Sequence, residues 1–433
     1  MKHQRPHRGS SPSPGARALA VASALAVSIA LASCGGGSGA GPDHLVIGDL
    51  VPLRGDLAAY GPGGRKAVDL AVREARSASR DSRDPLAVTV RHEDTETSDA
   101  IAENAARHLV DDRDASCLVG DWTTSGTFAV GEDVAANRSV PLISPSATNP
   151  EISSLDDGGF VFRTAPSDDL QARALAVLAA RTLGGARGRT VAVAGRDDVY
   201  GPRFAGHFAQ AWRQMGGKVS GPILYDPGKL HHRADARRIV AGHPDAYLIV
   251  DFPDSFDRLA PDLLRAPGFD PHRLFLPAAM AVPNVRDRGI PAAAVDGAHG
   301  VLPGAVAPTP EGRFFRRLYR RSPAAPRAMT AFDAQAFDAA TLCYLATVSA
   351  GSSNGDAIAA RIRDVASPPG RKVGPGDLAT AVRLLRRGVG IDYQGASGPL
   401  DLNASGDPGA GAYQVFDYRL GKKHATATFD VKD

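Results

Sequence analysis

The chain has 433 residues, 43% of them hydrophobic and 22% charged, and a formal charge of +3. That is ordinary globular composition, enough for a large core and long enough for two or more domains or lobes. Lys2, Arg5, Arg8 and Arg17 precede residue 34 without a single acid, so the remainder is near neutral at −1, and no basic stripe for nucleic acid is visible.

The first element is a leader. A basic segment (Lys2 to Arg17) precedes the apolar run "ALAVASALAVSIALA", Ala18 to Ala32, which has signal-peptide length and is short for a membrane span. It ends in "LASC", Leu31 to Cys34, followed by "GGGSGAG". This pattern resembles the lipobox of bacterial lipoproteins, which implies a signal peptide over 1–33 and acylation of Cys34. A plain secretory signal with a chance cysteine is the alternative. Residues 34–43 are expected to be a flexible tether, with the rest held at the outer face of a membrane.

From His44 the chain alternates short apolar runs with helical patterns. "HLVIGDLVPL" reads as a buried strand. "GGRKAVDLAVREARS" carries Ala67, Leu70, Ala71 and Ala75 on one helical face. "LAVTVRHED" is a strand and "SDAIAENAARHLVDD" a helix with Ser98 as N-cap. "SCLVG" is a strand, "SGTFAVGEDVAANR" a helix and "VPLIS" a strand. The regular alternation predicts a parallel sheet covered by helices. "GFVFRTAPSDD" breaks the rhythm and is expected to cross over. A second alternating set runs from "DDLQARALAVLAARTLG" to "RLFLPAA". "AHGVLPGAV" then leads to three or four helices between Glu311 and Arg387. The end reads as antiparallel hairpins with turns at Gly406-Asp407 and Gly421-Lys422.

Ligands of open α/β sheets bind beyond the carboxyl ends of the strands. Four such junctions here carry polar, ligand-ready loops: "DLAAYGPGGRKA", "GDWTTSGTF", "VPLISPSATNPEIS" and "GRDDVYGPRFAG". In "GDWTTSGTF" the hydroxyls of Thr124, Ser125 and Thr127 meet free backbone N–H groups, an arrangement suited to a carboxylate. Simple N-capping is the competing account of that loop. Four junctions together favour a cleft between two α/β lobes.

These motifs, in this order, resemble the type I periplasmic solute-binding proteins, in the branch of leucine/isoleucine/valine-binding proteins that serve ABC importers. The resemblance covers roughly Leu45 to Val431 and extends through Asp94-Thr95, "FRTAPSD" and the late "GASGPLDLNASGD". It implies two Rossmann-like lobes with parallel sheets joined by three crossover strands: 44–163 with 303–397, and 164–302 with 398–433. It implies that Ser125 or Thr124, with Thr127, meets a ligand carboxylate. Ser146, Ala147 and Thr148 would bind carboxylate and ammonium, and Tyr60 and Tyr200 would wall the pocket from opposite lobes. One departure stands out. Where amino-acid binders of this family place an acid, this chain reads "FLPAAMAVPN", with Ala278, Ala279 and Met280. Asp251, or else Asp198, is the expected substitute, because a buried ammonium without a partner costs several kcal/mol. The other reading is a ligand that is not an α-amino acid, for which Met280 and Phe252 suit an apolar portion.

The expected role is binding and hinge closure with delivery to an ABC permease, without catalysis, cofactor or metal, by a monomer. A ligand sensor on the same fold is the alternative. Cys117 and Cys343 could join in an exported chain, but two buried thiols are the favoured expectation. "GPGGRKA" lacks the Gly-Lys-Ser/Thr of a phosphate loop. "DLNASGDPGAGA" lacks the twelfth-position Glu of a calcium loop and is expected to be a hairpin turn.

Overall fold

The computed structural model describes residues 44–303 and 309–432. The expected signal peptide, Cys34 and the expected tether lie outside them.

The first sheet is parallel, five-stranded and ordered β2-β1-β3-β4-β5. Its strands are β1 (His44–Val51), β2 (Ala87–Asp94), β3 (Cys117–Val119), β4 (Leu142–Ser144) and β5 (Val161–Arg163). Between them run α1 (Gly61–Ser82), α2 (Asp99–Arg107) and α3 (Thr124–Val130). Ser98 does precede α2, but its side chain makes no capping bond. The segment expected to cross over first supplies β5 and only then leaves the sheet.

The chain next builds α4 (Asp168–Thr182), β6 (Thr190–Arg196), α5 (Tyr200–Gln214), β7 (Lys218–Tyr225), α6 (Arg233–Val240), β8 (Ala246–Val250), α7 (Pro253–Arg265), β9 (Leu274–Leu276) and β10 (His299–Pro303). It returns to the first half as α8 (Pro310–Arg321), α9 (Asp333–Ala350), α10 (Gly355–Ala366), β11 (Arg371–Val373), α11 (Leu378–Leu385), β12 (Ile391–Gly395) and β13 (Gly398–Pro399). Finally β14 (Ala410–Arg419) and β15 (Lys422–Lys432) form a hairpin on the edge of the second sheet, ordered β15-β14-β10-β9-β8-β6-β7. All pairings in the second sheet are parallel except those of β14 and β15. The chain therefore changes halves three times. The Gly421 turn joins two strands as expected. The Gly406-Asp407 turn closes only on a single bridge between Leu402 and Pro408.

Helix α9 explains why the first sheet needs the returning chain. Every residue from Asp333 to Val348 is buried, as a helix apolar all round must be. It packs on α1, α10, β1, β3 and β4. Its Cys343 meets Cys117 of β3 in a disulfide, with Cα atoms 5.9 Å apart across 226 residues. The expectation of two free thiols is corrected here. The helix that covers the sheet brings its midpoint over the third strand, and sequence alone does not set that register.

At the crossovers, Arg163 is fully buried. Its Nε donates to Asp407 Oδ1 at 2.6 Å and its Nη1 to the Asn149 carbonyl at 2.8 Å. Its own N–H donates to the Gly406 carbonyl at 3.0 Å. The first and third passages between halves are thus pinned together.

Candidate functional site

A cavity of about 200 Å³ lies between the two halves, at the carboxyl ends of their strands. Each wall grows from the junctions singled out in the sequence. After β1 come Asp56, Leu57 and Tyr60; after β3, Trp122, Thr123, Thr124 and Ser125; after β4, Ser146 and Thr148. The second half supplies Arg196, Asp198, Val199 and Tyr200 after β6, Phe252 after β8, and Ala278 and Ala279 after β9.

The hydroxyls of "GDWTTSGTF" divide their work. Thr123 is the N-cap of α3: its Oγ1 accepts the Gly126 N–H at 2.9 Å and donates to Asp121 at 2.7 Å. Ser125 lines the cavity, but its hydroxyl donates to Asp99 at 2.8 Å. Ser146 also lines it and donates to the Trp122 carbonyl at 2.7 Å. Thr124 faces the cavity with no hydroxyl partner among the described residues. Trp122 reaches the wall because α1 has glycine at position 64. A Cβ there would stand 2.1 Å from the indole ring.

On the opposite wall Asp198 receives the Tyr200 and Gly201 N–H groups on one oxygen, at 3.0 and 3.1 Å, and the Arg196 guanidinium on the other. The guanidinium carbon of Arg196 lies 4.2 Å from the centroid of Phe252, a favourable cation–π distance. Phe252 stacks on Tyr200, with centroids 5.3 Å apart and planes 10° from parallel. The halves touch across the cavity. The Tyr60 hydroxyl donates to the Ala279 carbonyl, and Arg196 approaches Asp56 to 3.9 Å.

Of the residues named from sequence, Tyr60, Thr124, Ser125, Ser146, Thr148, Tyr200 and Phe252 line the cavity. Four do not. Thr127 is buried, with its hydroxyl donating back to the Thr123 carbonyl at 2.7 Å. Ala147 is buried and gives its N–H to the Ser144 hydroxyl at 3.1 Å. Met280 is buried, and its carbonyl accepts the Tyr418 hydroxyl at 2.5 Å. Asp251 is fully buried ahead of α7, accepting from Tyr225 at 2.7 Å, from the Phe252 N–H at 2.8 Å and from Ser255. It supports Phe252 and does not face the cavity. Asp198, the other acid considered, does.

Arg196, Trp122, Gln171, Asp56 and Phe332 were not singled out. Arg196 and Trp122 sit inside quoted loops, where neighbouring hydroxyls and tyrosines drew attention. Phe332, at φ 68° just ahead of α9, arrives from far along the chain with no local signal. Gln171 accepts the Ala278 N–H at 2.8 Å and ties α4 to the wall. Behind Thr148 lies Asp168, buried, its two carboxylate oxygens without a well-formed hydrogen bond. Burial drives this carboxyl up to about 7, against a partial offset from the Thr148 hydroxyl and the charges of Arg163 and His207.

Two α/β halves around a cleft define a bilobal ligand-binding fold. Residues 45–378 match the family model described as periplasmic binding protein, and the chain belongs to that family. It is 27% identical, over 85% of both chains, to the chemotactic signal transduction system substrate-binding protein BasB of Halobacterium salinarum. Its fold matches the isoleucine complex of the branched-chain amino acid transporter substrate-binding protein LivJ from Streptococcus pneumoniae. That match has a TM-score of 0.71 and 18% identity, covering 90% of this chain and 100% of the other. It also matches an ABC transporter solute-binding protein of R. palustris in complex with 4-hydroxybenzoate, with a TM-score of 0.69 and 16% identity, covering 90% and 98%.

Proposed function

We propose that this protein captures a small amino-acid-like or otherwise carboxylate-bearing solute by closing its halves, and delivers it to an ABC permease without chemical turnover. One observation carries the reading: the cavity wall is shared between the halves, so only their approach encloses a solute. The hydroxyl-rich loops after β3 and β4 suit the carboxylate. The Tyr200–Phe252 stack suits an apolar body. Asp198 retains one acceptor position for an ammonium, since three of about four are taken. The moving bodies are 44–163 with 309–399, and 164–303 with 410–432. Acylated Cys34 holds them at the membrane. The kinship with a chemotactic binding protein favours a second reading, in which the closed form signals to a membrane partner.

Native mass spectrometry against amino acids and their deaminated counterparts tests this. Retention of a panel member, lost in Thr148→Ala by about ten- to a hundredfold in Kd, is the expected result. No binding across the panel would overturn the reading. Preference for the deaminated acids would assign the ligand class without an ammonium.

A further inference from the structure

One corner of the first half, around the ends of α1 and α11, is basic. Between Arg361 and Gly390 the sequence holds seven cations and only two carboxylates. The fold gathers them with the end of α1. One groove is lined by Arg83, Asp84, Arg383, Arg386 and Arg387, where α1 and α11 terminate side by side. A neighbouring groove is lined by Arg361, Arg363, Asp364, Gly388 and Gly390. Arg371 opens β11 by bonding its N–H to the Gly390 carbonyl at 3.0 Å.

Part of this charge is internally compensated. Arg386 pairs with Asp84 at 2.5 Å and Arg361 with Asp364 at 3.0 Å. Arg83, Arg371, Lys372, Arg383 and Arg387 are exposed and have no carboxylate within ion-pair distance among the described residues. Arg363 is exposed and unpaired with a carboxylate as well, so six such cations stand against the exposed Asp81 in the last turn of α1 and make a local positive field suited to an anionic partner.

The position of this end in the fold names the partner. His44, the first residue of β1, pairs with Ala87, four residues after Arg83. The basic end is therefore where the chain enters the fold, and it lies opposite the cavity. Only nine residues separate Cys34 from His44, a reach of at most about 35 Å. We infer that, between deliveries, this basic end rests on the anionic phosphate headgroups of the membrane surface, from which the chain must turn for its cavity to meet a permease. The inference rests on the reading of Cys34 as the acylated anchor.

The described residues form a compact unit with their own cores, so a chain starting at Gly35, without the anchor, isolates the surface. It should co-sediment with vesicles containing phosphatidylglycerol, not with pure phosphatidylcholine, and be released as salt rises. Arg83→Glu, Arg383→Glu and Arg387→Glu together should weaken vesicle binding at least about tenfold. The same charge change at Arg187, Arg213 and Arg237, exposed on the second half, should leave it within about twofold. No retention by anionic vesicles at low salt would overturn the inference, as would equal loss from both triple variants. Failure of the anchor reading would appear separately, as absence of lipid on Cys34 in the full chain.

Discussion

Asp168 is a carboxyl group that folding leaves badly served. Its folded value near 7 lies well above that of an exposed aspartate, so the native state binds a proton that the unfolded chain has released. Stability must then fall as pH rises between about 4 and 7 and level off above. Asp168→Asn removes that loss. Its melting-temperature advantage over the parent should grow across this window and then stay constant; a gap independent of pH would show that the carboxylate stays ionised. His92 has the opposite sign. Burial pulls it down, but hydrogen bonds and charges from Asp49 and Asp69 outweigh this and raise it to about 9. Its contribution is fully present below about 6.5 and is lost as pH rises through 9. In His92→Gln the alkaline loss of stability between these values should shrink.

Among elements, the strand-to-helix junctions were the legible part. Their glycines, hydroxyls and tyrosines follow apolar runs in plain sequence, and most of the residues named there line the cavity because a parallel sheet presents such junctions at one end. What stayed hidden depended on register and orientation. Thr127 follows Ser125 by only two positions, yet the turn of α3 points its hydroxyl at its own backbone. Asp251 directly follows its strand, in the right place, but is consumed by Tyr225 and Ser255. The Cys117–Cys343 pair required knowing how far α9 slides along the sheet. Closing a loop of that length should contribute about 2–5 kcal/mol. Cys117→Ala with Cys343→Ala should show this by guanidinium unfolding, and reductant should lower the parent to the same level while leaving the variant unchanged.

At the scale of the whole molecule, the proposed closure would require the passages between halves to bend without separating. The Arg163–Asp407 pair fastens two of them where water cannot reach. Removing one partner of such a pair strands the other charge, at a cost of about 3–5 kcal/mol. Asp407→Ala should lose that much in urea unfolding. If the clamp also sets the hinge, solution scattering should report a more open ligand-free form.

The triple passage of the chain also governs the order in which the molecule can be assembled. Strands β1 to β5 are complete once residue 163 has emerged, yet the helix that covers their apolar face begins at Asp333. During synthesis, well over a hundred residues of the other half must follow before that face can be sealed. The second half is interrupted likewise until its last hairpin arrives. Neither half can mature as a vectorial unit. The link between residues 117 and 343 can close only once α9 has come to lie over β3, and so marks the sealing of that face.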